Sequence, residues 1–267
     1  MEIKIIAEIG WNHLGDLDLA KKMIKAASEN GADICKFQSW SEKNLKDGPW
    51  DQDGRREIYK KAQLTKEKHY ELMDVCKLYG VEFLTSIFNL NDVEFLSKLN
   101  SKIIKIPSHE IYNLDLIKKC LEKFDTVLIS GGAAQWKEIL DIKSQCNLKN
   151  SVMMHCVSSY PLDAENVNFK KMNELKKLFN DIGYSGHFSG IDDAIIAICL
   201  GAKYIEKHFT IDKALPGRDN KFAINEKELL SISKFKKNYV KMNMDKGLDL
   251  QKCEEDIFNN YRGRWSK

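Results

Sequence analysis

A pair of histidines, a pair of lysines, a pair of glutamates and several serines each follow a short apolar run in this chain. The first run ends in Glu8, followed by Gly10-Trp11-Asn12-His13, and the second gives Lys36 and Gln38. Thr85 and Ser86 close the third, and Lys105, Ser108 and Glu110 follow the fourth. The fifth yields Ser130-Gly131-Gly132, the sixth Ser158, Ser159 and Tyr160, the seventh Ser185 and His187, the eighth Glu206 and His208. Lysines, hydroxyls and a Gly-Gly turn without excess acid suit a phosphate and a carboxylate. Two histidines suit a transition-type divalent metal with open coordination positions. Glu8 and Glu206 are then available as acid–base or orienting groups. One polar run-end would mean little; eight in register are hard to assign to chance.

Each residue also has a plainer reading. Lys36 and Lys105 could be surface lysines, but both directly follow apolar residues. His187 alone would read as a hydrogen-bonded structural histidine; pairing with His208 favours a ligand. Gly131-Gly132 is equally a tight turn. His13, His109 and His155 read as structural, and Arg262-Gly263-Arg264 as a solvated tail.

Something must bring these ends together. The apolar runs at 4–9, 34–37, 82–86, 103–106, 127–130, 152–157, 182–185 and 204–208 read as strands. Several are continuously apolar, as parallel strands buried on both faces are. Helical patterns alternate with them at 19–30, 66–79, 92–99, 115–124, 136–145, 170–179, 192–200 and 226–244. Gly31 and Gly80 serve as stops and Asn225 as an N-cap. Eight β-then-α units predict a single (β/α)₈ TIM barrel, whose functional groups gather at the C-terminal strand ends. An open doubly wound sheet is the alternative. The barrel is expected to occupy 1–267 as one domain, with 247–267 a C-terminal tail. The long segment 39–61, rich in Asp, Gly, Arg and Trp, reads as a lid.

The 267 residues suit one such barrel, and 43% hydrophobic residues suffice for its core. A net charge of +3 with 30% charged residues indicates mixed surface charge, so neither nucleic acid nor a membrane surface is expected as a partner. The opening Met1-Glu2-Ile3-Lys4-Ile5-Ile6 lacks signal-peptide character, and no apolar run reaches a membrane span. Seven scattered cysteines without a C-x-x-C pair read as reduced thiols, and a cytoplasmic location is expected.

At this level of detail the chain resembles the sialic acid synthase family, which includes legionaminic and pseudaminic acid synthases. Ala7-Glu8-Ile9-Gly10-Trp11-Asn12-His13 resembles A-E-I-G-x-N-H, and Lys36-Phe37-Gln38 resembles K-x-Q. Lys105-Ile106-Pro107-Ser108-His109-Glu110 is similar to K-I-x-S-x-E, and His155-Cys156 through Tyr160-Pro161 to H-C-x-x-x-Y-P. Gly183-Tyr184-Ser185-Gly186-His187 resembles G-x-S-D-H, Glu206-Lys207-His208-Phe209-Thr210 matches E-[KR]-H-F-T, and Pro216-Gly217-Arg218-Asp219 resembles P-G-P-D. Any one motif is weak; seven in order are strong.

The resemblance implies a metal-assisted condensation of phosphoenolpyruvate with an aldehyde sugar of the N-acetylmannosamine type, giving a nonulosonic acid and phosphate. His187 and His208 would bind the divalent metal, with Mn²⁺ or Mg²⁺ expected first and Co²⁺ or Zn²⁺ as the other options. Lys36, Ser86, Lys105, Ser108, Ser130 and Ser185 would surround phosphoenolpyruvate, with Ser158 beside them. Tyr160 and Asp219 would face the sugar, with Glu8 and Glu206 near the reacting centre.

Four departures from the family pattern matter. Gly186 stands where many relatives have Asp, so an orienting partner is expected to be missing. Ser158 replaces an asparagine. Arg218 replaces a proline, and is expected to take part in recognising the sugar. The sequence stops at Lys267, near where the family's C-terminal antifreeze-like domain would begin. In the family that domain supplies an arginine across a swapped dimer, so a homodimer or a separate partner carrying it is expected here. Two further readings stay open: a metal-dependent pyruvate aldolase, and a barrel that binds sugar without turnover.

Overall fold

Side chains alternate across a strand, so a strand buried on both faces can be apolar outside and still change character within. The eight strands of this chain do so together. A computed structural model describes residues 2–49 and 51–265. Its strands are β1 (Lys4–Gly10), β2 (Ile34–Ser39), β3 (Glu82–Ile87), β4 (Ile103–Ile106), β5 (Thr126–Ser130), β6 (Ser151–Cys156), β7 (Ile182–Gly186) and β8 (Tyr204–His208). All neighbours pair in parallel, and β8 returns to β1, so the sheet closes in sequence order. Closure excludes the open doubly wound sheet.

Outward residues such as Ile5, Phe37, Ile104, Ile129 and Ile205 pack against the helices in one large core. Inward, Ile6, Ile34, Leu84, Ile103, Leu128, Val152 and Met154, with Tyr204 against them, form a separate apolar cluster. Two residues further along the same strands the inward positions are Glu8, Lys36, Ser86, Lys105, Ser130, Cys156 and Glu206. The apolar layer therefore plugs the N-terminal half of the barrel, and the polar layer lies immediately above it.

The helices are α1 (Leu17–Glu29), α2 (Arg55–Ala62), α3 (Lys66–Leu78), α4 (Val93–Leu99), α5 (Leu114–Lys123), α6 (Trp136–Gln145), α7 (Phe169–Leu178), α8 (Asp192–Cys199) and α9 (Glu226–Met242). Asp16 caps α1 by accepting from the Asp18 and Leu19 amides, and Asn225 caps α9 within a capping box closed by Glu228. Strand β6 spans 151–156 rather than the expected 152–157, which frees the Val157 carbonyl to act in the site. Among the described residues no helix is long and apolar enough to cross a membrane.

The expected lid differs from its sequence reading. It is not loop throughout, because α2 closes it, and an aromatic ladder pins it. Tyr59 of α2 stacks on Trp11 at 5.0 Å between ring centroids, while Trp40 meets Tyr59 and Phe88 edge-on. Arg56 adds ion pairs to Glu42, Asp47 and Asp51. Residues 241–265 are exposed throughout. Trp50 of the lid and residues 266–267 of the expected tail lie outside the described residues.

Candidate active site

Four ionisable side chains occupy the polar layer, and each is almost completely buried. Lys36 Nζ lies 2.8 Å from Glu8 Oε2 and 3.7 Å from Glu206 Oε1, and Lys105 Nζ lies 2.8 Å from Glu206 Oε2. Two cations and two anions alternate along the contact chain Glu8–Lys36–Glu206–Lys105, a compensation that buried charge requires. Ser86 Oγ accepts from Lys36 at 3.0 Å, and Ser185 Oγ donates to Glu206 Oε1 at 3.0 Å. Gln38 Nε2 donates to Glu8 Oε1 at 2.5 Å.

The two carboxyl groups are driven in opposite directions. Burial pushes Glu8 up to about 7, against the pull of Lys36. Burial acts on Glu206 as well, but Lys105 and Lys36 together outweigh it and hold that carboxyl down to about 2. Separation of this kind suits a proton-exchanging group beside a permanently ionised one. Lys36 is raised, burial being outweighed by Glu206 and Glu8, whereas for Lys105 burial prevails and lowers it.

The expected metal pair lies at the adjoining ends of β7 and β8. The rings of His187 and His208 are 5.4 Å apart between centroids. The Nδ1 of His187 donates to the Val157 carbonyl at 2.8 Å, which orients the ring, and His187 is raised, burial being outweighed by Cys156 beside it. His208 Nδ1 is buried without a hydrogen-bond partner, with Asp219 Oδ2 3.6 Å away. Burial, and next His187, hold His208 well below its usual range, which favours the neutral ring that a ligand must present. An orphaned neutral nitrogen beside a pre-oriented imidazole fits a divalent ion. Among the described residues no group of three or more His, Cys, Asp or Glu side chains is arranged to hold one.

A cradle opens beside this pair. A Cβ on Gly132 would meet Ser158 Oγ at 2.5 Å, Ser108 Oγ at 2.6 Å and Cys156 Sγ at 3.0 Å, so only glycine leaves the space free. Ser158 Oγ has no hydrogen-bond partner there, and Ser130 is buried at the β5 end. The adjoining cavity, about 560 Å³, is lined by Cys156, Ser158, Asn166 and Lys171 among others. Above it, the Arg218 guanidinium lies 5.2 Å from the centre of the Tyr160 ring, and its Nε lies 3.4 Å from Asp219 Oδ1.

All fourteen residues expected at the site therefore lie at the C-terminal mouth or just beneath it. Thr85 does not join them: its hydroxyl bonds Ser39 and turns outward toward His69 of α3. Glu110 is only half-buried. His155 Nε2 donates to the Val167 carbonyl, and His13 Nδ1 accepts from the Gly15 amide, so both are structural. Two residues beyond the fourteen expected also take part. Trp11 donates its indole N–H to Asp219, and Cys156 touches Ser108 at 3.4 Å. The signal for both was their position immediately after strands β1 and at the end of β6.

A model of the NeuB family matches residues 23–246. The N,N'-diacetyllegionaminic acid synthase of Campylobacter jejuni subsp. jejuni serotype O:2 is 39% identical over 242 residues, covering 84% of this chain and 72% of that protein. Human N-acetylneuraminate-9-phosphate synthase is 35% identical, covering 85% of this chain and 67% of its own length. The crystal structure of the N-acetylneuraminic acid synthetase from Leptospira borgpetersenii serovar Hardjo-bovis, in complex with citrate, superposes with a TM-score of 0.84 at 29% identity, over 99% of this chain and 93% of that one. With the family model spanning most of the barrel, and relatives above 30% identity matched along two thirds or more of their length, the chain belongs to the NeuB family.

Proposed function

We propose that the chain condenses phosphoenolpyruvate with an aldehyde sugar resembling N-acetylmannosamine, releasing phosphate and a 2-keto-3-deoxy nonulosonic acid. The observation that carries this reading is the buried Glu8–Lys36–Glu206–Lys105 quartet with two metal-competent histidines beside it. Carbon 3 of phosphoenolpyruvate forms the new bond to the aldehyde carbon. Water adds at carbon 2, and the carbon 2–oxygen bond to the phosphoryl group breaks. A divalent ion held by His187 and His208, with Mn²⁺ or Mg²⁺ the first choice and Co²⁺ or Zn²⁺ the others, supplies a Lewis acid for the aldehyde oxygen.

The chain's own groups then have separable tasks. Lys36 and Lys105 hold the anionic groups of phosphoenolpyruvate, with Ser86, Ser108, Ser130, Ser158 and Ser185 donating around them. Glu8, poised near neutrality, takes the proton that the attacking water loses or gives one to the aldehyde oxygen, and Glu206 keeps both lysines charged and in place. Tyr160, Arg218 and Asp219 face the sugar. The seven free cysteines suit a reducing cytoplasm.

Phosphate release from phosphoenolpyruvate, measured with a panel of aldehyde sugars including the N-acetylmannosamine type, tests the reading. Release dependent on both substrates and on metal is expected. Product from pyruvate without phosphate would indicate the aldolase, and sugar binding without any product a non-catalytic barrel. Arg218→Ala should raise KM for the sugar by about 10-fold, the scale of a lost charge-assisted hydrogen bond, with KM for phosphoenolpyruvate unchanged. Wild-type sugar kinetics in that variant would reduce Arg218 to surface decoration.

A further inference from the structure

The strands carrying the two histidines are tied together from behind by a buried ion pair. Lys207 lies between Glu206 and His208 and points outward, toward α8. Its Nζ donates to Asp193 Oδ1 at 2.9 Å and Oδ2 at 2.8 Å, and to the Phe188 carbonyl at 2.7 Å. Asp193 Oδ2 also accepts from the Tyr184 hydroxyl at 2.9 Å, and Oδ1 from the Ala194 amide at 2.8 Å. Asp193, Lys207 and Tyr184 are 3%, 2% and 1% exposed, so the cluster has no recourse to solvent. One carboxylate thus holds Tyr184 of β7 and Lys207 of β8, and Lys207 in turn holds the carbonyl immediately after His187.

This carboxylate fits because residue 186 has no side chain. A Cβ on Gly186 would come within 2.2 Å of Asp193 Oδ2 and 2.5 Å of Tyr184 Cε1. Gly186 is also the direct register partner of Lys207 across the β7–β8 ladder. A carboxylate placed on 186 would therefore face the same ammonium group from the strand that Asp193 now faces from the helix. The two placements exclude each other sterically, and either one leaves a single anion against Lys207. The aspartate of the G-x-S-D-H pattern is not lost from this chain without replacement.

We propose that Asp193 is a positioning residue for the metal-binding histidines, supplying from α8 the carboxylate that position 186 lacks. The inference rests on the reading of His187 and His208 as ligands. It acts through Lys207 and Tyr184, which set the relative height of the β7 and β8 ends and so the separation of the two rings.

Mn²⁺ alone is the probe, titrated into the full chain by calorimetry, at a temperature where circular dichroism shows every variant folded. Asp193→Asn keeps the shape and removes the charge, which guards against outright misfolding. It should weaken Mn²⁺ binding by about 10–100-fold, the scale found for partners that orient a metal's ligands. Asp193→Ala should weaken it at least as much. The double variant Gly186→Asp/Asp193→Ala, which returns the carboxylate to the strand, should recover at least about tenfold of that loss. Wild-type Mn²⁺ affinity in Asp193→Asn, or equal weakness in Asp193→Ala and the double variant, would overturn the proposal and leave Asp193 a purely structural ion-pair member. Wild-type Mn²⁺ binding no stronger than that of His208→Ala would instead overturn the metal reading, and this inference with it.

Discussion

His208→Ala should lose metal-dependent turnover by more than about 100-fold, since deleting a ligand costs more than deleting a group that merely orients one. Its melting temperature should barely change. The reason is that His208 Nδ1 is buried without a partner, as His155 Nδ1 is too, but no second hydrogen bond like that of His155 Nε2 holds the His208 ring among the described residues, so truncation removes an unsatisfied polar atom rather than a hydrogen bond. His155 is the control. It is fully buried, and its Nε2 bonds the Val167 carbonyl at 2.7 Å, away from the mouth. His155→Ala should lower the melting temperature while leaving Mn²⁺ affinity intact. Thermal melts and Mn²⁺ titrations on both variants decide the matter; retained turnover in His208→Ala would remove that residue from the site.

Lys105→Met should raise KM for phosphoenolpyruvate by about 10–100-fold, with KM for the sugar within about threefold. Methionine keeps most of the buried volume, so packing is not the variable. What disappears is the ammonium group 2.8 Å from Glu206 Oε2. Glu206 then keeps Lys36, 3.7 Å away, and the Ser185 hydroxyl, and its carboxyl should titrate higher than in the wild type. On the proposed reading, phosphoenolpyruvate then meets one cation in place of two, whereas the sugar, expected beside Tyr160 and Arg218, should not depend on Lys105. Equal effects on both KM values would show that Lys105 supports the site as a whole rather than one ligand.

The barrel and most of the site are legible in the sequence for a single physical reason: parity. In a strand buried on both faces, residues two apart share a side, so Ile6 predicts the direction of Glu8, Ile34 that of Lys36, and Tyr204 that of Glu206. The same rule turns Thr85 away, because its neighbour Ser86 is the inward residue. What stays hidden depends on elements far apart in the chain. The Trp11–Asp219 bond joins residues 208 apart, and no local pattern announces it. Asp193 reads as an ordinary first-turn acid of α8, and Gly186 as the loss of a side chain; only their proximity in space reveals that one makes room for the other. Helix α2 is eight residues long and mostly charged, too short for a periodicity to emerge.

The apolar plug beneath the polar layer leaves the barrel open at one end only. Glu8, Lys36, Lys105 and Glu206 are 1–4% exposed at the floor of that mouth, whereas the Arg218 side chain at its rim is 44% exposed. On the proposed reading, a sugar seated over Tyr160 would stand between the rim and the lysines, so the ligand of the floor is expected to arrive first and the ligand of the rim second, and whatever is released at the floor is expected to wait until the rim has cleared.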